Sequence, residues 1–336
     1  MKVLVTGTAG FIGSAAAQKL LERGDEVVGL DNINDYYDRR LKYARLENAG
    51  IDAERLHYGD ALASTKYPAY RFVQLDITDR GALEKLFAAE GFDAVCHLAA
   101  QAGVRYSLER PQAYIDSNVT GLLNVLECCR KYPAGHLVYA SSSSVYGANT
   151  KVPFSEDDRT DQPVSLYAAT KKADEEMAEA YGRLYGIAAT GLRFFTVYGP
   201  WGRPDMAPMI FARALLAGEP LEVYNRGEQS RDFTYVDDIV EGVARVLDKA
   251  PAGNPRHAIY NIGHGSPVRL MDFIAELERA FGVKARLEML PAQPGDVAHT
   301  WADCSKLEHD FGYRPQTALE EGIRKFANWY TQYHES

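Results

Sequence analysis

The sequence predicts an α/β protein built on a doubly wound, mostly parallel sheet, with a smaller mixed α/β domain completed by the C-terminal part of the chain. Three observations carry that expectation. Short apolar runs alternate with helical patterns through the first 142 residues. The runs are apolar on both faces, as strands of a parallel sheet covered on two sides must be. Three glycines, Gly7, Gly10 and Gly13, separate the first run from the first helical pattern, and the second run ends on Asp31.

In chain order the strand candidates are "KVLVTG" (2–7), "EVVGLD" (26–31), "RFVQLD" (71–76), "DAVCHLAA" (93–100) and "HLVYASS" (136–142). Helical patterns cover 11–23, 79–90 and 111–132. The polar, Tyr-rich stretch 34–70 breaks the rhythm and is expected to hold a helix over 35–48 and then an irregular excursion. "ATGLRFFTVYG" (189–199) resumes the strands, and Pro- and Gly-rich loops then surround a helix at 205–217. The amphipathic run 235–250 and the strand "AIYNIG" (258–263) return to the first domain, while the tail 267–333 carries two helices and short strands. The domains expected are 1–197 with 234–263, a nucleotide-binding unit of Rossmann type, and 198–233 with 264–336, a substrate unit.

Composition narrows the partners. The 336 residues are 46% hydrophobic, enough for a substantial core, and a net charge of −9 argues against nucleic acid or an anionic membrane surface. Cys96, Cys128, Cys129 and Cys304 show no C-x-x-C spacing, which fits a reducing cytoplasm. The eight histidines form no H-E-x-x-H set, so no metal is expected. Glycines interrupt the N-terminal apolar run before it reaches the length of a signal or spanning segment, and a soluble cytoplasmic protein is expected.

The glycines read G-x-x-G-x-x-G. At a strand-to-helix turn they allow close approach of a pyrophosphate and tight helix–strand packing, and the helix N-terminus adds N–H donors. Asp31 follows Gly7 by 24 residues, at the end of the second strand. A carboxylate there accepts both ribose hydroxyls and repels a 2′-phosphate, so NAD is expected over NADP.

These glycines, "HLAAQAG" (97–103), "SSSSVYG" (141–147) and Tyr167-x-x-x-Lys171 occur in an order that resembles the extended short-chain dehydrogenase/reductase family over nearly the whole chain. The resemblance implies that Tyr167 is the acid/base and that Lys171 holds the nicotinamide ribose while stabilising the phenolate. It also implies a hydroxyl that shares the substrate proton, Ser142 by its distance from "VYG", with Ser144 the alternative. NAD contacts are implied for Gly7, Gly10, Phe11, Ile12, Gly13, Asp31, Asn32, Asp76, Ile77, Leu98, Ala99, Ala100, Gln101 and Asn118, besides Tyr167 and Lys171. Elementary chemistry agrees, because a free tyrosine titrates near about 10 and a phenolate base at neutral pH needs a cation beside it. For Asn118, a buried amide satisfied within the protein would look the same.

Within the family, "NINDYYD" (32–38) and "RFFTVYGPWGRPDM" (193–206) are similar to UDP-glucuronate 4-epimerases. Sugar 4,6-dehydratases instead carry an Asp-Glu pair after the catalytic hydroxyl. Ser143 and Ser144 stand there, and a serine is a poor substitute for either carboxyl group. Arg203 can grip a planar carboxylate with two parallel hydrogen bonds, and Thr196 can add a hydroxyl. The resemblance further implies that Arg231, Gln293 and Asp296 face the uridine diphosphate. It implies a homodimer through the helices near 111–132 and 167–185. Three alternatives stay open: a UDP-glucuronate decarboxylase, another UDP-sugar 4-epimerase, and a non-enzymatic NAD-sensing regulator.

Overall fold

The first apolar run forms β1 (Lys2–Thr6), whose Val3, Leu4 and Val5 are fully buried because helices cover both faces of its sheet. The other strands of that sheet are β2 (Glu26–Asp31), β3 (Ala61–Ala63), β4 (Tyr70–Gln74), β5 (Ala94–His97), β6 (His136–Ser142), β7 (Ala189–Phe194) and the strand His257–Ile262. In space they run His257–Ile262, β7, β6, β5, β1, β2, β4, β3. Pairing is parallel from β6 through β5, β1 and β2 to β4, and β3 closes the edge antiparallel to β4. The chain winds outward from β1 to β4, then crosses back to place β5 on the other side of β1. Such a reversal opens a crevice at the C-terminal strand ends, where doubly wound sheets bind ligands.

The computed structural model describes residues 1–292 and 298–335. Two units divide the chain. One comprises Met1–Asn149, Arg159–Arg193 and Val240–Tyr260; the other comprises Thr150–Asp158, Phe194–Ile239 and Asn261–Ser336.

In the first unit, Leu4, Val28, Leu30, Val73, Val95 and Leu137 of the sheet pack against Leu83 and Phe87 of α3 (Arg80–Glu90) and Leu126 of the helix Gly121–Lys131. Each such burial is worth about 1.5–3 kcal/mol over exposure. The expected helix at 111–132 is broken. Pro111–Tyr114 and Gly121–Lys131 are α-helical, but Ile115–Thr120 forms a wider π turn. The expected helix at 35–48 begins only at Arg39, because the Asp38 carboxylate caps it by accepting from the Arg40 N–H at 2.9 Å. The excursion after it contains β3, whose three residues carry too little pattern to be read as a strand. The helix Leu166–Tyr185 has clear sequence punctuation: the Ser165 hydroxyl accepts from the Ala168 N–H, and Gly186 ends it in the left-handed conformation.

The single strand expected at 189–199 is two. Ala189–Phe194 joins the large sheet, whereas Thr196–Tyr198 pairs in parallel with Phe233–Tyr235 in the second unit. That unit also pairs Pro220–Val223 with Arg286–Met289 and Ser230–Arg231 with Val268–Arg269. Phe233 stacks on Phe273 with ring centroids 4.1 Å apart, and Tyr198 meets both edge-on. The buried Asp232 carboxylate accepts from the backbone N–H groups of His264, Gly265 and Ala302. The tail carries three helices among the described residues, Leu270–Phe281, Ser305–Phe311 and Leu319–Glu335, where two were expected.

A buried ion pair ties the helix Leu166–Tyr185 to β7. Arg193 Nε and Nη2 donate to the two Glu175 oxygens at 2.8 Å each, and the Ser141 hydroxyl donates to Oε1 at 2.6 Å. Burial alone would raise the Glu175 carboxyl, but Arg193 and Ser141 hold it below its usual range. Arg193→Leu should leave that buried carboxylate without its two-pronged cation, with only Lys172 at 3.5 Å, and cost about 3–5 kcal/mol of unfolding free energy. Chemical denaturation measures this; a loss below about 1 kcal/mol, as for an exposed pair, would contradict it.

Candidate active site

The glycine turn is shaped by close backbone approach. Gly7, at φ +80°, donates from its N–H to Leu30 O at 2.6 Å, and a Cβ there would stand 2.9 Å from Ala99 N. A Cβ on Gly13 would lie 2.0 Å from Gly7 O, so α1 (Phe11–Glu22) can press against the turn only without one. Gly10 precedes α1 and supplies no side-chain cap, so the first N–H donors of the helix are left to a ligand anion. Phe11 is buried in this first turn and Ile12 half-buried.

At the end of β2 the Asp31 carboxylate is fixed by the backbone: Oδ2 accepts from Ala9 N at 3.1 Å and Oδ1 from Ile33 N at 2.8 Å. Asn32 Nδ2 donates to Asp76 Oδ2 at 2.8 Å, while Asp76 Oδ1 accepts from the Thr78 N–H and hydroxyl. Burial opposes the Asp76 charge, but these donors hold its carboxyl below the usual range. Ile77 is buried, and its carbonyl accepts from Asn124. The turn, Asp31 and the Asn32–Asp76 pair have the shape and donor set of an NAD site. The glycines leave room for a diphosphate that a Cβ would fill, and an oriented carboxylate stands at the ribose position.

Two cations near this turn escaped the sequence reading. On α2 (Arg39–Asn48), Arg45 is buried and its Nη1 donates to Ala9 O at 2.8 Å and to Tyr37 Oη at 2.7 Å. Lys42 is also buried, with Nζ on Asn34 Oδ1 at 2.7 Å, and burial lowers its ammonium below the usual lysine range. The sequence signal was a pair of cations three residues apart on the helix expected over 35–48.

Beyond β5, Leu98, Ala99, Ala100 and Gln101 line the edge of the crevice beside β1. Leu98 N donates to Thr6 O and Ala99 N to Thr6 Oγ1. Asn118, in the π turn, accepts from Gln101 N at 2.8 Å and donates to Gln101 O and Thr170 Oγ1. Its amide thus joins the Gln101 loop to the helix Leu166–Tyr185. His97 shares a hydrogen with Thr6 Oγ1 at 2.8 Å; burial, and then the charge of Lys171, push its titration down to about 3, so the ring is neutral and structural.

Tyr167 is half-buried in the first turn of its helix, and its ring meets Tyr114 edge-on at 6.0 Å. One turn on, Lys171 is buried, with Nζ donating to Ala140 O on β6 at 2.9 Å and to Asp174 Oδ2 at 3.0 Å. Ser142 ends the same strand. Its buried Oγ accepts from Ser144 N at 3.2 Å, which leaves the hydroxyl proton to donate elsewhere. Ser144 is half-buried in the short turn Ser143–Tyr146, and Ser141 is committed to Glu175. Tyr167, Lys171 and Ser142 therefore belong to one unit, at the C-terminal ends of its parallel strands.

In the second unit, Thr196 opens its strand half-buried, with its N–H on Asp232 O at 3.1 Å. Arg203 lies in the following loop and grips both oxygens of Asp205, from Nε at 3.1 Å and from Nη2 at 2.5 Å. This is the two-pronged geometry by which a guanidinium reads a carboxylate. Trp201 holds the loop in the left-handed region at φ +63° and packs against Trp329 and Tyr333. Arg231 donates to Ser230 O, Ala298 O and Gln229 Oε1. Gln293 and Asp296 lie outside the described residues. Among the described residues no group of three or more His, Cys, Asp or Glu side chains is arranged to hold a metal ion.

A parallel sheet with a glycine cradle, an oriented carboxylate at the end of its second strand and a Tyr-x-x-x-Lys helix defines a nucleotide-dependent oxidoreductase scaffold. Residues 3–263 match the NAD dependent epimerase/dehydratase family, and the chain belongs to that family. It is 51% identical over its full length to an uncharacterized 37.6 kDa protein in the cld 5′ region of Escherichia coli O111:H-, also covered in full. It is 48% identical to UDP-glucuronate 4-epimerase 2 of Arabidopsis thaliana, with 100% of this chain and 77% of that protein covered. Among solved structures, UDP-glucuronic acid 4-epimerase from Bacillus cereus, in complex with UDP-glucuronic acid and NAD, superposes with a TM-score of 0.88 at 33% identity, covering 99% of this chain and all of that one.

Gly13→Ala tests the cradle. The added methyl meets backbone that cannot move aside, so α1 must shift away from the turn. NAD affinity measured by calorimetry should fall at least about tenfold, or about 1.4 kcal/mol. Unchanged affinity would show that the turn tolerates a Cβ and is not the diphosphate site.

Proposed function

We propose that the protein interconverts UDP-glucuronate and UDP-galacturonate by inverting C4 of the sugar. The observation that carries this reading is similarity over the whole of this chain to UDP-glucuronate 4-epimerases, and Lys171 bonded to the strand that ends in Ser142, one helical turn after Tyr167, supports it. NAD, when bound, would supply the hydride acceptor, and then the hydride donor, for oxidation and re-reduction at C4. Gly7, Gly10, Phe11, Ile12 and Gly13 cradle its diphosphate, and Asp31 and Asn32 take a ribose. Asp76, Ile77 and Leu98–Gln101 line its remaining length, and Lys171 takes the second ribose. Asn118 serves the site by holding Gln101 and Thr170 in place.

Tyr167 removes the O4 proton and later restores it, with the Ser142 hydroxyl relaying between them. Lys171 keeps a positive charge beside the phenolate, which makes a weak acid serviceable as a base. Thr196 and Arg203 hold the sugar carboxylate, and Arg231, Gln293 and Asp296 hold the uridine diphosphate. The Arg203 grip decides between fates. A 4-keto uronic acid loses carbon dioxide when its carboxylate bond aligns with the carbonyl π system; two parallel hydrogen bonds keep the carboxylate in the ring plane. Serines in place of an acid pair disfavour dehydration.

The protein acts as a cytoplasmic homodimer in this reading. Its described cysteines are free, and apolar Ile115, Leu123, Leu184 and Tyr185 stand exposed on the two helical segments expected to pair. The direct test is incubation with UDP-glucuronate and separation of the sugar nucleotides. UDP-galacturonate should form without added reductant. UDP-pentose would identify a decarboxylase, and an unchanged substrate a non-catalytic NAD binder.

Tyr167→Phe removes the base without disturbing packing, so turnover should fall about 10²–10⁴-fold while NAD stays bound. Turnover at the parent rate would dismiss Tyr167 as the base. Arg203→Leu should lose at least about a hundredfold in kcat/KM for UDP-glucuronate, because an anion-specific pair of charged bonds disappears. Activity on UDP-glucose should fall far less. Equal proportional losses on both substrates would mean that Arg203 braces its loop and does not read the carboxylate.

A further inference from the structure

Lys171 and Asp174 are 3% and 2% exposed, so both sides of this ion pair are out of water. The Lys171 ammonium donates to Asp174 Oδ2 at 3.0 Å and to Ala140 O. Asp174 Oδ1 is buried and has no hydrogen-bond partner. A half-satisfied carboxylate in the interior is costly, and packing alone would be served better by an apolar side chain. The neighbouring acid does not share the arrangement, because Glu175 has its own cation in Arg193.

The charged and titratable groups around Asp174 are few. Its own helix contributes Lys171 and Glu175. From β6 comes Tyr139, whose titration Glu175 and Asp174 raise further after burial. From β5 comes His97, neutral and facing Lys171. From β7 comes Arg193, engaged with Glu175. Lys171 is thus the cation that Asp174 balances, and it is also the cation assigned to the Tyr167 phenolate.

We propose that Asp174 is the counter-ion of Lys171 and that, by offsetting the lysine charge, it sets the pH at which Tyr167 becomes a base. This rests on the reading of Tyr167 and Lys171 as the acid/base pair. Asp174 is a positioning residue, acting on the phenolate only through Lys171. A lysine alone would favour the phenolate strongly; a lysine paired with a carboxylate favours it less, and the acid limb of the pH–rate profile stands higher. Burial, against the pull of Lys171, lifts the Asp174 carboxyl to about 6. The offset therefore operates above that pH and lapses below it.

Asp174→Asn removes the charge and keeps an oxygen able to accept from Lys171. The acid limb of kcat/KM for UDP-glucuronate should move down by at least about half a pH unit. Tyrosinate ultraviolet absorbance of the NAD-loaded protein, corrected with Tyr167→Phe, should move the same way and needs no substrate. A limb that stays in place or moves up would overturn the proposal, whatever the loss of rate. Asp174→Ser, smaller and also neutral, must shift in the same direction, which guards against a defect particular to asparagine.

Stability supplies an independent readout. A carboxyl whose titration is raised by folding favours the fold when protonated, so the parent loses stability as pH rises through about 6. The always-neutral variant does not, and its gain over the parent should be larger at about pH 8 than at about pH 5. A gain that goes on rising between about pH 7 and pH 8 would show that Asp174 stays protonated in the folded protein and carries no charge to offset Lys171, and would also overturn the proposal. If Tyr167→Phe turns over at the parent rate, the acid/base reading itself fails. If Tyr167→Phe is inactive and the Asp174→Asn limb does not move, this inference alone fails.

Discussion

The bond from the buried Lys171 ammonium to the Ala140 carbonyl is the contact on which the chemical end of the molecule depends. It fastens the helix Leu166–Tyr185 to β6 two residues before that strand ends. With the lysine fixed, Tyr167 stands one turn earlier on the helix and Ser142 two residues further along the strand, so one contact places both the proposed base and its proposed relay. A charged group can be held there only because its neighbours answer for it. Asp174 balances Lys171, Arg193 balances Glu175, and Ser141 takes a remaining carboxylate lone pair. Two acids and two bases in a dry interior are a poor way to gain stability, but a rigid way to aim a lysine.

The nucleotide end is governed by steric exclusion. Gly7, Gly13 and Ala99 bring three backbone segments to distances at which no side chain fits. Arg45 and Asp31 then fix the same turn from both sides, the arginine through Ala9 O and the carboxylate through Ala9 N. A ligand entering such a site meets donors that are already oriented, so little ordering remains to be done on binding. The two ends sit on one sheet, at the strand termini beside the reversal between β1 and β5 and the next strand, β6.

What could be read in the sequence was whatever depends on local pattern. The parallel strands announced themselves as runs apolar on both faces, and Ser165 and Gly186 punctuate the catalytic helix in the usual way. Tyr167 and Lys171, four apart, share a helix face whatever surrounds them. The remainder needed contacts distant in sequence. Asp174 and Glu175 are indistinguishable as consecutive acids, yet one faces Lys171 and the other Arg193, and packing against β6 and β7 makes that choice. Lys42 and Arg45 are buried only because α2 folds onto the glycine turn, and nothing in their spacing says so. The π turn at Ile115–Thr120 left no compositional mark, although it positions Asn118 between Gln101 and Thr170. The strand read over 189–199 divides because its second half finds a partner in Phe233–Tyr235, some forty residues on.

The central claim is that C4 inverts by removal and return of the same hydrogen, while the carboxylate stays in place. Turnover of UDP-glucuronate in heavy water tests both halves at once. The account expects UDP-galacturonate with ordinary hydrogen at C4 and C5 and its carboxylate intact, by nuclear magnetic resonance and mass. Deuterium at C4, or a UDP-pentose in place of the uronic acid, would contradict it.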